Sequence, residues 1–293
     1  WSYLIGIWID KADNDRSRKR RLIPGIIIAL LFLCFFKYGT ELFKNISSWQ
    51  IIPDNLRMSA QTLKIAMPLG VSFYTFQIIG YLADLCKGKI HAEHHLGYYA
   101  LFVSFFPQIV SGPIGRADRL IPQFRQERSF SYDKASSAIR LIVWGCFEKL
   151  VIANTLAERV DQYFNHIESY VGLILIAAVV MYAFQIYCDF SGYTDIALGC
   201  AGLLGINLDV NFKCPYFSRS PREFWSRWHI SLSSWLRDYI YIPLGGSRKG
   251  TFRTYLNIMI TFLVSGLWHG TGITFAIWGL LHGFYQVVVR FLG

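Results

Sequence analysis

Apolar residues in this chain come in long unbroken runs rather than in the alternation of a half-buried strand or the one-sided stripe of a surface helix. The runs fall at 22–38, 63–85, 96–115, 136–153, 171–188, 194–206, 254–268 and 271–290. Runs near 20 residues predict membrane helices. The clearest, "LIPGIIIALLFLCFFKY" at 22–38, covers about 26 Å as a helix. Before it, "KADNDRSRKRR" at 11–21 carries six basic residues against two acidic, which predicts a cytoplasmic loop. Residues 40–62, with Pro53, then lie outside. The run 63–85 returns inward with a kink at Pro68 and Gly70. A full crossing by 96–115 would place Arg116, Arg119, Arg125 and Arg128 outside. That conflict predicts a re-entrant segment.

The run 136–153 crosses outward into a loop at 154–170 whose "NTLAERVDQYFNHIES" holds three acids and one arginine, as an external loop should. Residues 171–188 cross back. The short, small-residue run 194–206 suits close helix packing or partial insertion. Residues 209–253 carry eight basic and three acidic residues, too many to face lipid, and are read as cytoplasmic-side helices lining a cavity. Two further membrane segments close the chain.

Composition agrees. The chain is 53% hydrophobic and 16% charged with a mean hydropathy of +0.33, whereas soluble domains carry about 25% charged residues. The net charge of +10 sits between apolar runs, where it sets orientation, so nucleic acid is not the expected partner; membrane lipid is. The six cysteines show no CxxC spacing and read as small buried hydrophobes. "WSYLIGIWI" and "FYQVVVRFLG" look like cut segments, so residues 1–293 are expected to be a single membrane-embedded domain truncated at both ends.

Ionisable groups among apolar runs are expensive and tend to face a cavity or a partner. His229 in "RWHIS", His269 in "LWHGT" and His282 in "LLHGF" stand in such places. Each alone suits a helix-bridging histidine. Together they suggest function, with Gly270 opening the approach to the His269 imidazole, a general base. "DFSGYTD" at 189–195 reads either as a helix-end cap, the favoured reading, or as the polar wall of a tunnel. "PLGGSRKG" at 243–250 reads as a solvated loop, or one whose Arg248 and Lys249 hold nucleotide phosphates. "HAEHH" at 91–95 lacks HExxH spacing, so no metal is expected.

Three stretches, "YCDFSGYTDIALGCAGLLGINLDVNF", "PREFWSRWHISLSSWLRDYIYIPLGGSR" and "SGLWHGTGITFAIWGLLHG", resemble the membrane-bound O-acyltransferase (MBOAT) family. Its bacterial alginate O-acetyltransferase-like branch is the nearest, with "MPLGVSFYTFQIIGYLADL" and "FFPQIVSGPIGR" in the same order. The resemblance implies an all-α, polytopic, multi-helix body with re-entrant segments and a central tunnel. It implies a catalytic histidine at His269 and a second at His229. It implies acetyl-CoA as donor, entering from the cytosol, and a polysaccharide or an extracytoplasmic acetyltransferase partner as recipient. The setting would be the bacterial inner (plasma) membrane. D-alanyl transfer to teichoic acid is the related alternative, set back because "YIPLGGSR" at 241–248 is kept here. A transporter with a histidine proton relay is the non-enzyme alternative, set back by the lack of an inverted repeat.

Overall fold

The computed structural model describes residues 1–47, 66 and 68–292. Among the described residues every regular element is helical and no strand occurs. Most of the segment expected outside, 48–62, lies beyond the described residues. In chain order the α-helices are α1 (Ser2–Asp10), α2 (Asp15–Ser47), α3 (Val71–Cys86), α4 (Leu96–Ser104), α5 (Phe106–Ile109), α6 (Ala117–Phe124) and α7 (Tyr132–Cys146). They continue as α8 (Asn154–Asn165), α9 (Leu173–Leu203), α10 (Pro221–Arg227), α11 (Ile230–Leu236), α12 (Thr251–His269) and α13 (Ile273–Leu292).

Among the described residues three helical stretches are long and apolar enough to cross a membrane: Asp15–Thr40, Leu173–Leu203 and Ile273–Leu292. Only 22%, 11% and 11% of their most apolar windows are buried inside the protein. In water such surface would be a large exposed apolar patch, whereas in a bilayer it meets a matching solvent.

Several boundaries differ from the sequence expectation. The basic stretch 15–21 is not loop but the first turns of α2, because Arg and Lys are good helix formers and the Asn14 Oδ1 accepts the Ser17 N–H at 2.8 Å. Pro68 and Gly70 do not kink a helix; they precede it. Gly70 adopts φ +73°, and a Cβ there would stand 2.0 Å from the Ile109 carbonyl oxygen, so α3 starts cleanly at Val71. The stretch 96–115 is broken into α4 and α5 around Phe105, each far shorter than the roughly 30 Å of a hydrocarbon core. The expected loop at 154–170 is mostly helix: α7 passes through a π-helical turn, Phe147–Ala153, directly into α8. The runs 171–188 and 194–206 are one helix, α9, so Asp189 and Asp195 sit in its interior and the helix-end-cap reading of "DFSGYTD" falls.

That long helix is possible because its neighbour comes very close. A Cβ on Gly145 of α7 would stand 2.5 Å from the Gly192 carbonyl, and one on Gly192 would stand 2.6 Å from the Gly145 carbonyl. Small residues let the two backbones touch, the usual way helices associate without a hydrophobic driving force. The π-helical turn lies on this seam, where Lys149 pairs with Asp189 at 2.6 Å and buried Glu148 accepts from the Trp144 indole at 3.2 Å. The cysteines are all free; only Cys188 is buried, while Cys34 and Cys214 are exposed, so burial describes one of the six rather than the set.

Behind the histidines a buried cluster joins Ala29 of α2, Phe76 and Ile79 of α3, Ile114, Leu232, Trp235 and Leu236 of α11 and Trp268 of α12. Its centre is an aromatic stack, with Phe76 3.9 Å from Trp235 and 5.3 Å from Trp268 between ring centroids. The stack gives the end of α12 a rigid backing.

Candidate active site

His229 stands between α10 and α11 with φ +44° and ψ 54°, a left-handed conformation for a residue that bears a Cβ. Such a backbone costs about 1–3 kcal/mol and persists only where neighbours over-determine it. Asn211, with no exposed surface, does so here. Its carbonyl accepts the Ile230 N–H at 3.0 Å, and its Oδ1 accepts the Ser231 Oγ–H at 2.6 Å and the Ser231 N–H at 3.3 Å. The Ser231 Oγ in turn accepts the Ile114 N–H at 3.0 Å, tying the loop after α5 to the same point. The imidazole is 2% exposed, lies edge-on to Phe190 at 4.7 Å, and its Nδ1 has no hydrogen-bond partner among the described residues. A buried polar nitrogen left open in this way is the kind of exception that calls for a ligand or a proton-transfer role.

His269 is the last residue of α12 and is open on one side. Its other side is crowded by Trp268 and Trp278, each 5.0 Å away between ring centroids. The Trp268 ring also lies 6.2 Å from His229, so one indole neighbours both imidazoles. Gly270 does not open a path for a substrate: a Cβ there would fall 2.0 Å from the Phe275 ring. Its missing side chain makes room for α13 to fold back. Gly266 and Gly279 have the same use, with a Cβ on Gly266 meeting the Phe275 carbonyl at 2.2 Å.

His282 is joined to the group through Trp278, at 4.6 Å, and Trp225, at 5.2 Å. Trp225 also lines a cavity of about 970 Å³ with Arg222, Arg237, Gln286 and Arg290. The indole N–H of Trp225 and the amide nitrogen of Gln286 are buried without partners among the described residues. Three guanidinium groups and two idle donors make this wall suited to a ligand rich in acceptors. Arg248 and Lys249 are exposed on the loop whose Ser247 reaches the cavity. That loop is pinned to α12 where the Asn257 amide donates to the Gly246 carbonyl at 2.9 Å.

A second π-helical turn, Arg237–Tyr241, forms part of the cavity wall through Arg237 and Tyr241. Tyr239 fixes it. Its hydroxyl donates to Asp84 Oδ2 at 2.6 Å, and Lys87 and Arg116 stand 4.8 Å and 4.7 Å from its ring centre. Burial, then the bond to Asp84, raises the phenol above the ordinary tyrosine range, which keeps it a donor.

From the opposite direction, α2 reaches the end of α12. The Lys37 ammonium donates to the Trp268 carbonyl and lies 5.9 Å from the Trp268 ring centre, and the Tyr38 hydroxyl donates to the Leu267 carbonyl at 2.7 Å. Both bonds satisfy carbonyls that a helix C-terminus leaves orphaned. Sequence reasoning missed Lys37, Tyr38, Asn211 and the cavity arginines. The signal for Lys37 was a cation closing an apolar run; Asn211 offered none in its local pattern.

The "HAEHH" stretch is a staple. Glu93 is buried, pairs with Arg125 at 2.5 Å and accepts the His95 N–H at 2.8 Å, while His91 faces Asp10 at 3.5 Å. Among the described residues no group of three His, Cys, Asp or Glu side chains gathers to hold a metal.

Comparison with known proteins places this arrangement in context. Residues 89–292 match the model of MBOAT, the membrane-bound O-acyltransferase family. The chain is 40% identical over 295 residues to the "Probable alginate O-acetylase AlgI" of Pseudomonas putida, an alignment covering 100% of the chain and 60% of the relative. It is 35% identical over 316 residues to the peptidoglycan O-acetyltransferase of Helicobacter pylori, covering 99% and 59%. Likeness to the teichoic acid D-alanyltransferase of Streptococcus thermophilus is 31% over 240 residues, covering 75% and 56%. The chain thus spans 56–60% of the length of these relatives.

Proposed function

Since this chain belongs to the membrane-bound O-acyltransferase family, we propose that it is the core of a membrane O-acetyltransferase. It would carry acetyl from cytosolic acetyl-CoA toward an exported or cell-surface polysaccharide, through an extracytoplasmic partner, in the bacterial plasma membrane. The observation that carries this reading is the pair of imidazoles, His229 and His269, both against Trp268 and connected through Trp278 and Trp225 to an arginine-lined cavity. The cavity arginines and the idle donors of Trp225 and Gln286 suit the phosphates and amide carbonyls of coenzyme A. Arg248 and Lys249, on the loop beside the cavity, would act on the same phosphates from outside.

In this reading His269 takes the proton from the acceptor hydroxyl as its oxygen bonds to the thioester carbonyl carbon. The carbon–sulfur bond then breaks, and the departing thiolate receives that proton, giving an ester and free coenzyme A thiol. His229, desolvated and with Nδ1 open, orients the donor carbonyl. D-alanyl transfer is less favoured, because the acetylases match the whole chain at higher identity.

Transfer of radiolabelled acetyl from acetyl-CoA in proteoliposomes tests the proposal. His269→Ala should lower turnover by about 10²–10⁴-fold, the range of a positioned general base. The His229→Ala, His269→Ala double variant should be little worse than His269→Ala, since groups serving one transition state are strongly non-additive. Wild-type turnover in His269→Ala, or losses that add in free energy, would overturn it.

A further inference from the structure

We propose that Lys37 is the fixed cation of this active site, stabilising the negative charge that develops on the transferred carbonyl oxygen. The inference rests on the acyl-transfer reading above and adds to it a residue from outside the family-matched stretch 89–292.

From Leu22 to Phe36 helix α2 carries no Asp, Glu, Lys, Arg or His. Lys37 lies 16 residues beyond Arg21, about 24 Å along a helix. A cation there stands near the far edge of a hydrocarbon core about 30 Å thick, where an ionisable residue is costly and has a functional partner by default. With the basic start of α2 in the cytoplasm, this is the outer half of the membrane, the side from which an exported acceptor arrives. A lysine at a membrane edge has the option of extending its ammonium to the interface. Lys37 instead turns inward, donating to the Trp268 carbonyl and approaching the Trp268 ring at 5.9 Å.

Trp268 is the residue that neighbours both imidazoles, and His269 lies within electrostatic reach of Lys37. No carboxylate among the described side chains is paired with Lys37. An ammonium has three donors, and the Trp268 carbonyl takes one. Capping alone would need no charge, because the Tyr38 hydroxyl already performs that task on the Leu267 carbonyl at 2.7 Å. A cation kept beside a general base serves the other half of the reaction. As the acceptor oxygen bonds to the carbonyl carbon, the π pair moves onto the carbonyl oxygen. The pair returns as the carbon–sulfur bond breaks and the thiolate leaves with the proton that His269 removed. Lys37 neither gains nor loses a proton through these steps; it lowers the energy of the oxyanion between them.

The test separates charge from anchoring in the intact protein. Lys37→Gln keeps an N–H for the Trp268 carbonyl but removes the charge. Lys37→Arg keeps the charge. Tyr38→Phe removes only the neighbouring cap. Acetyl transfer in proteoliposomes should show kcat for Lys37→Gln reduced about 10²–10³-fold, the loss typical of one oxyanion-stabilising group, with the KM for acetyl-CoA little changed. Lys37→Arg and Tyr38→Phe should stay within about tenfold of wild type on the same scale. Near-normal kcat in Lys37→Gln overturns the proposal, as does Lys37→Arg falling as low as Lys37→Gln. An equal loss in Tyr38→Phe overturns it too, because anchoring would then explain the effect. His269→Ala run in parallel keeps the two readings apart. If His269→Ala is inactive while Lys37→Gln is active, only the Lys37 assignment fails. If His269→Ala is active, the acyl-transfer reading fails first.

Discussion

Replacing Asn211 by alanine removes one amide from a site with no exposed surface, and its consequences follow from the hydrogen bonds it makes. The Oδ1 of Asn211 accepts the Ser231 hydroxyl at 2.6 Å and the Ser231 N–H at 3.3 Å, and Ser231 is itself buried. Leaving a buried donor unpaired costs about 1–3 kcal/mol. The hydroxyl bond is short and the amide bond long, so the sum lies nearer 2 kcal/mol than 4 by the same scale. His229, two residues before this pair of donors, is held at φ +44°, and relaxing to a right-handed backbone recovers about 1–2 kcal/mol. The restraint outweighs this strain in the native protein, so once it is lost the strain alone favours the relaxed state by about 1–2 kcal/mol. A shift of about 2 kcal/mol in favour of the relaxed state leaves the active geometry populated roughly thirtyfold less.

Asn211→Ala should therefore reduce acetyl transfer about thirtyfold through kcat, with the protein still eluting as a folded monodisperse species. Ser231→Ala should give a comparable loss. The double variant should fall well short of the sum of the two losses, because the substitutions share the Ser231 Oγ–Asn211 Oδ1 bond. The assay is steady-state transfer from acetyl-CoA in proteoliposomes with all three variants at matched reconstitution. Turnover in Asn211→Ala within threefold of wild type would refute the claim that Asn211 holds His229 in its strained state, as would losses that add.

Other expectations follow from the seams and turns. Gly192→Ala should lower thermal stability in detergent by an amount equivalent to about 1–3 kcal/mol, because its Cβ meets the Gly145 carbonyl at 2.6 Å; Gly202→Ala, facing only the Ala138 methyl at 3.3 Å, should cost clearly less. Tyr239→Phe leaves a carboxylate oxygen of buried Asp84 without its donor and frees the turn that carries Arg237, so the KM for acetyl-CoA should rise more than kcat falls; equal KM values would count against it. Single cysteines at Asp13 and Glu168 in a cysteine-free background should divide under an impermeant maleimide, with 168 labelled in intact cells and 13 protected. The reverse pattern would invert the proposed orientation.

The fold class was legible because lipid imposes a coarse rule: long apolar runs must be helices, and they are, at 22–38 and in the last forty residues. Boundaries were less legible because charge was taken as a sign of loop. Arg16, Arg18 and Lys19 extend α2, and Glu158 and Asp161 lie on α8; in both cases a charged side chain reaches water without the backbone leaving the helix. "DFSGYTD" was misread for a similar reason. Its Gly192 ends nothing, because the carbonyl of Gly145 fills the space where a side chain would be. The histidines were visible as polar residues in apolar surroundings. What positions them was not, since Lys37 precedes His269 by 232 positions and Asn211 acts on His229 across a loop.

In the proposed site Trp268 neighbours both imidazoles, which do not hydrogen-bond each other. An imidazole pair in direct contact would exchange its proton internally, and one partner would be spent as a donor to the other. The indole lies against both rings, and its own N–H is engaged elsewhere, with the Ser72 carbonyl at 3.5 Å. The Phe76 and Phe73 rings hold that indole from behind at 5.3 Å and 5.5 Å. The spacing of His229 from His269 is therefore set by the aromatic core of the protein rather than by the histidines themselves. Trp268→Leu should then damage both functions together: the imidazoles would approach, the Lys37 ammonium would lose its ring, and the loss in turnover should exceed that of either Phe76→Leu or Phe73→Leu. A Trp268→Leu enzyme with near-normal kcat would mean that the indole is filler, and that something other than this stack positions the histidines.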